Sequence, residues 1–235
     1  MKKQHKQQKQ QSRQIFGCTA GACAALFCAS SSLAGLISYS DLPNGQNNVS
    51  IAGLVGGSVD VNVVSFDNNF QRKTVAGVSA VGVAGGSVSG EIDGAQYIEF
   101  NFSAPVNVTS LSVAHLYTKG NHGDNWNEQA LFSTDVGDFY LEASGATSGL
   151  WSGYGLLSND SPAVEGGGGA WTLAGENIFG SAISTLRLSA GNAGPNSRFG
   201  DFGFVGMQAA AIPVPGAIGV LGMAALAGVS RRRKA

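Results

Sequence analysis

Between Val59 and Phe204 the chain repeatedly sets apolar residues at every second position. Val59-x-Val61-x-Val63 does so, as do Ile98-x-Phe100-x-Phe102 and Leu111-x-Val113-x-His115-x-Tyr117. Phe139-x-Leu141, Trp171-x-Leu173, Leu186-x-Leu188 and Phe202-x-Phe204 are shorter examples. Each run ends at Gly, Asn, Asp or Pro. A period of two is the signature of a strand with one buried face. No stretch of this region shows a 3.6-residue apolar period. Many short strands separated by turn residues predict an all-β domain, a single antiparallel β-sandwich of jelly-roll-like type. Glycine reinforces this: 29 of the 35 glycines fall in residues 35–211, about twice the usual share of ~7%. Asp41-Leu42-Pro43-Asn44-Gly45 and Asp93-Gly94 read as turns, because Gly and Asn accept positive φ. Ser103-Ala104-Pro105-Val106 reads as a link between two adjacent strands. Glu165 and the glycines 166–169 read as a loop within the domain, since too few residues remain on either side for two cores.

Charge divides the chain in three. Residues 1–34 carry five cations and no acid, and residues 212–235 carry four cations and no acid. The stretch 35–211 holds the other five cations and all 15 acids, a net charge of −10. That excludes a nucleic-acid binder, because nothing would neutralise phosphates. It also argues against docking on anionic membranes through a basic patch. The expected organisation is therefore a signal peptide (1–34), a Gly-rich β-sandwich ectodomain (35–211) and a basic, apolar tail (212–235).

The first segment has a Lys/Gln-rich start and an uncharged stretch from Ile15 to Leu33. Ser32-Leu33-Ala34 then precedes Gly35. Small residues at −3 and −1 predict cleavage by signal peptidase between Ala34 and Gly35. A retained membrane helix is the rival reading. All three cysteines (Cys18, Cys23, Cys28) lie inside this segment. A mature chain beginning at Gly35 would have none, which excludes disulfides, thiol catalysis and cysteine-metal sites.

At the other end, Ala209 to Ser230 carries no charge and runs into Arg231-Arg232-Arg233-Lys234. Proline is accepted in a first helical turn, so the helix would start near Pro215 and span about 16 residues, or ~24 Å. That is short for a hydrocarbon core of ~30 Å, and the arginines could snorkel to extend it. The glycines at 216, 219, 222 and 228 make it weakly apolar. Such a segment suits a short transmembrane helix used as a transient inner-membrane anchor.

Pro213-Val214-Pro215, a short Gly/Ala/Leu helix and the cluster Arg231, Arg232, Arg233 together resemble the PEP-CTERM class of sorting signals. Val214 stands where the family motif has Glu. The resemblance covers about 24 of the 235 residues. It implies an exosortase-type sorting enzyme as partner, and a bacterial surface or secreted protein with a structural or adhesive role in an exopolysaccharide or biofilm matrix. A plain single-pass tail anchor is the rival reading. Weaker likenesses inside the domain are the stretch Tyr97 to Val106 and the closing Asp201-Phe202-Gly203-Phe204. They bear on fold, and fold does not transfer function.

The ectodomain offers little for catalysis. Only His115 and His122 remain after processing, and no Gly-x-Ser-x-Gly elbow supports a serine triad. His115 shares parity with Leu111 and Val113 and reads as a core histidine. Two carboxylates of a glycosidase need a set spacing across a cleft, and nothing pairs Glu99, Asp135, Asp138 or Glu142 that way. The chain therefore reads as a non-enzyme, with a secreted hydrolase as the third option. The second option is a carbohydrate-binding module. The loop Asn121 to Glu128 supplies side-chain oxygens from Asp124, Asn125, Asn127 and Glu128, and Ca²⁺ takes six to eight such ligands. No other cofactor is implied. Trp126, Trp151 and Tyr154 lie in turn-rich segments and could contact a glycan. Extracellular polysaccharide is the partner such a surface would meet.

Overall fold

The fold comes from a computed structural model that describes residues 34–121, 125–161, 169–191 and 200–212. The segments expected to form the signal helix and the tail helix lie outside the described residues, as do His122 and Asp124. Among the described residues, no helix is long and apolar enough to cross a membrane. They form thirteen strands and one short 3₁₀ turn, Tyr39–Asp41. The strands are β1 Gly35–Ser38, β2 Asn48–Ile51, β3 Val61–Phe66, β4 Phe70–Val75, β5 Val78–Val83, β6 Tyr97–Ala114 and β7 Gln129–Thr134. They continue as β8 Gly137–Ala143, β9 Gly149–Trp151, β10 Leu156–Asn159, β11 Trp171–Ala174, β12 Ile183–Ala190 and β13 Gly203–Ala211. The all-β expectation holds.

Every pairing is antiparallel, and hydrogen bonds join all thirteen strands into one sheet. The main path runs β4-β5-β13-β6-β12-β7-β8-β9. The cause of this continuity is β6, 18 residues long. Its first half, Tyr97 to Phe102, lies between β3 and β12. Its second half, Val106 to Ala114, lies between β13 and β11. This corrects the expectation that Ser103–Val106 links two separate strands: β6 runs through it. Pro105 is tolerated because the β12 register jumps there, from Thr185↔Asn101 to Ile183↔Val106. Its missing N–H therefore removes no rung of the ladder. Ser103 still bonds outward, donating its N–H to the Asp60 carbonyl at 2.8 Å. Its Oγ accepts the Asp60 N–H at 2.9 Å.

A second irregularity explains the two alternating runs within β6. The β13 register passes from Gln208↔Ser110 to Ala209↔Val108, leaving Thr109 as an extra residue. One inserted residue moves the following side chains to the other face. Ile98, Phe100, Phe102, Val106 and Val108 are buried before the bulge, and Leu111 and Val113 after it.

The main core is an apolar cluster in which Phe100, Phe132, Phe202 and Phe204 are fully buried, and Ala80, Ala114 and Ala170 form a small second one. Phe100 on β6 meets Phe204 on β13 at a centroid distance of 5.0 Å. Phe132 on β7 meets Phe202 edge-on at 6.2 Å. Trp171 buries its indole and donates its N–H to the Leu116 carbonyl at 2.9 Å. The predicted turns are present, with positive φ at Gly45 and Gly94. The hairpin β4–β5 has no alternating signature, since Gln71-Arg72-Lys73-Thr74 is polar throughout. Its turn is formed by Ala76 and Gly77, both at positive φ, as a two-residue hairpin turn requires.

Truncating Phe100 removes a ring from the strand that both halves share. Phe100→Ala should cost about 3–5 kcal/mol. Leu156→Ala, at a position 79% exposed, should stay within about 0.5 kcal/mol. Urea unfolding midpoints of the two variants check this.

Candidate functional site

In the loop expected to offer metal ligands, the described side chains have these partners. Asn127 has its whole side chain engaged. Its Oδ1 accepts from Thr118 Oγ1 at 3.0 Å and from the Lys119 N–H at 3.1 Å. Its Nδ2 donates to Glu142 Oε1 at 3.0 Å. Glu128 is buried, and its carboxylate accepts the Tyr117 N–H. These two residues therefore staple the base of the loop to β8 and to the end of β6. Asn125 and Trp126 are exposed. Asp124 lies outside the described residues. Among the described residues, no group of three or more His, Cys, Asp or Glu side chains could hold a metal ion.

The aromatic candidates separate. Trp151 packs inward against Phe132, Phe139 and Phe179 at 5.7, 5.9 and 6.1 Å. Its indole N–H donates to the Tyr154 carbonyl at 2.9 Å, so it braces the turn that presents Tyr154. Tyr154 is 62% exposed and lies across Gly180, where any Cβ would stand 2.3 Å from its ring. Trp126 stands on the other loop, 43% exposed.

Two further assemblies were not visible in the sequence. The first is the outward face of β2, β3, β6 and β12. Register aligns Ser50, Asn62, Asn101 and Thr185 in one row, and Val64, Glu99 and Arg187 in the next. Phe66 stacks on Tyr97 at 4.8 Å with an interplanar angle of 1°. The Arg187 guanidinium lies over the Tyr97 ring, 4.2 Å from its centroid. The Arg187 Nε and Nη2 both donate to Glu99 Oε2, at 2.8 and 2.6 Å. Glu99 Oε1 accepts from Asn101 Nδ2 at 3.2 Å. The result is a pre-ordered ladder of aromatic, guanidinium, carboxylate and amide groups, with Phe66 about half exposed. A groove of about 300 Å³ adjoins it, lined by Ser50, Asp60, Asn62, Asn101, Phe102 and Ser103 among others.

The second assembly is a buried polar cluster where β6 ends and β13 begins. Lys73, Glu91, Tyr117, Glu128 and Asp201 line a cavity of about 170 Å³. Lys73 Nζ donates to Glu91 Oε1 at 2.5 Å. His115 is fully buried at φ +65°, a conformation that costs a non-glycine residue on the order of 1–3 kcal/mol. Its Nδ1 faces Glu91 Oε1 at 3.4 Å, and its Nε2 lies 3.3 Å from the Val78 carbonyl. Burial pushes the Glu91 carboxyl up to about 7, against the lowering effect of Lys73 and with help from the negative charge of Asp201. Burial also raises the Tyr117 phenol, and Glu91, Glu128 and Asp201 add to the rise. The reading of His115 as a buried core residue agrees with this placement. The glutamate beside it carried no local signal, because Lys73, Glu91, His115 and Asp201 come from four distant segments.

Comparison with protein-family models, with curated proteins and with solved structures finds no match to this chain.

If Asn127 staples the loop, Asn127→Ala loses three hydrogen bonds, two of them partly buried. Unfolding free energy should fall by about 1–3 kcal/mol, equally in Ca²⁺ and in EDTA. Denaturant melts under both conditions check it, and a loss confined to the Ca²⁺ sample would restore the metal reading.

Proposed function

We propose that this chain is an exported bacterial surface or matrix protein whose β-domain has a structural or adhesive role and associates with extracellular polysaccharide. In this reading the bent sheet closes on itself as a jelly-roll-like sandwich around the shared strand β6. Signal peptidase cuts before Gly35, and an exosortase-type enzyme acts on the Pro213-Val214-Pro215 tail after transient anchoring in the inner membrane.

The observation that carries the polysaccharide contact is the outward ladder of Phe66, Tyr97, Arg187, Glu99 and Asn101 beside a groove lined by amide and hydroxyl groups. Sugars present an apolar C–H face and a rim of hydroxyls. An exposed ring accepts the first. Carboxylate, guanidinium and amide groups bind the second, and those held in place beforehand lose little freedom on binding. The net charge of −10 across 35–211 favours neutral or cation-bridged glycan over a bare polyanion. The exposed Tyr154 and Trp126 offer additional stacking positions.

The positions of the two junctions suit processing at both ends. β1 pairs with β13 so that Gly35 lies opposite Ala209, which brings Ala34 and Ile212 to the same end of the domain. Gly35 is also the only residue that fits there, since a Cβ would stand 2.1 Å from the Leu54 carbonyl oxygen.

Two measurements test this. The mature protein should co-sediment with insoluble polysaccharide from its own host's matrix. The Phe66→Ala, Arg187→Ala double variant should bind at least about tenfold more weakly, equivalent to ~1.4 kcal/mol, while unfolding at a similar denaturant concentration. Undiminished retention would remove this face from the proposal. Intact mass of the protein from host membranes and medium should begin at Gly35 and end near Pro213–Pro215. A mass that retains Arg231–Arg233 would mean a permanent anchor instead.

A further inference from the structure

We propose that the uncharged outward face of β1, β13, β6, β11 and β10 docks a second copy of this chain, sheet face on sheet face. Register fixes which side chains share that face. Leu36, Gln208, Ser110, Ala174 and Leu156 lie in one row across the five strands. Ser38, Gly206, Ser112, Thr172 and Ser158 lie in the next. At the alternate positions Ile37, Met207, Leu111 and Leu173 are buried in the core, so these two rows look outward. At ~4.8 Å between strands, each row is ~19 Å long.

Two leucines stand at the rims of the first row, Leu36 63% exposed and Leu156 79% exposed. A lone exposed leucine is ordinary. Here both ends of one row carry one, and the residues between them are short apart from Gln208. That leaves a shallow floor flanked by apolar edges. A two-fold copy laid on it, with strands within about 30° and sheets ~10 Å apart, brings its own leucines down on that floor. The same residues then serve both partners, as a two-fold interface requires.

Charge and hydrogen bonding favour a second copy as the occupant. Residues 35–211 carry a net −10, so two such domains repel wherever their acids meet. Neither row holds a charged residue, whereas the outward face over the first half of β6 carries Glu99 and Arg187. Carboxylates stand at the margins: Asp41 lies 3.2 Å from Ser38 Oγ and Asp160 lies 3.3 Å from Ser158 Oγ. Glu176 follows two residues after Ala174. The uncharged rows are therefore where two copies approach at least electrostatic cost. The central hydroxyls are also spent inside the chain, since Ser112 Oγ and Thr172 Oγ1 bond to each other at 2.6 Å. Hydroxyls paired in this way lose little when water leaves. A sugar would need them free. A face ~19 Å long is small beside the ~800 Å² per partner of a standard interface, so the dimer is weak and fills at high local concentration.

Sedimentation velocity of the full chain from about 1 µM to about 1 mM tests the proposal, because weak association falls in that range. The wild type should pass from monomer to dimer as concentration rises. Combining Leu36→Asp with Leu156→Asp puts like charges on the docking face and should raise the concentration needed at least about tenfold. Leu150→Asp, 61% exposed on β9 and off this face, should leave it unchanged. Denaturant midpoints at low concentration show whether the variants fold. If the leucine variant unfolds early, Gln208→Arg repeats the test at an exposed polar position. A wild type that stays monomeric at about 1 mM would overturn the proposal. So would association that the face variants leave unchanged, or that Leu150→Asp weakens equally. Face variants that dimerise like the wild type but lose co-sedimentation with the host's polysaccharide would make this a glycan surface instead.

Discussion

The shared strand β6 is the constraint on which the rest of the structure depends. Among the described residues, it is the only strand with a different pair of neighbours along each half. Pairing on both edges along most of its length leaves little free edge to protect, and one row of its side chains is buried. Its buried positions gather rings from both ends of the domain: Phe100 meets Phe204, and Val113 pairs with Phe204 and Trp171. The two halves are therefore joined by covalent backbone as well as by side-chain packing. Loosening either half strains the same strand.

The all-β class was legible because the alternation is strict wherever one face is buried. Residues 98–102, 186–188 and 202–204 follow the rule and form strands or bridges as expected. What misled the reading was Pro105, which normally ends a strand. It survives here because the neighbouring ladder skips that residue, a fact about β12 that no local pattern around residue 105 contains. The hairpin β4–β5 was invisible for a related reason. Its first strand lies at the end of the sheet, where neither face needs strict alternation. In edge strands the hydrophobic pattern weakens, and only the positive-φ turn at Ala76-Gly77 marks the hairpin.

The sites were less legible than the fold, because their chemistry is assembled across the sheet. Arg187 and Glu99 are 88 residues apart and become neighbours only through the β6–β12 register. Lys73 and Glu91 meet through the β4–β5 hairpin and the bridge at Val83. The loop at 121–128 attracted notice because its oxygens are clustered in sequence. In the fold, Asn127 and Glu128 spend those oxygens on closing the loop. Clustered polar residues in a turn more often satisfy their own backbone than serve a ligand.

The order of the strands also constrains when the domain can form. β13 is the last strand, yet it is interior: β6 lies along one edge, and β5 and β1 share the other. Phe202 and Phe204, which complete the aromatic core, arrive with it. Until β13 is available, one edge of the second half of β6 lacks its partner strand and β1, the first strand, has no neighbour. Pairing the first strand with the last is the longest-range contact the described residues make, and such contacts form late because loop closure must precede them. For a chain exported as proposed above, the core could not close before its final strand had crossed the membrane. A core that closes late would leave such a chain threadable until then.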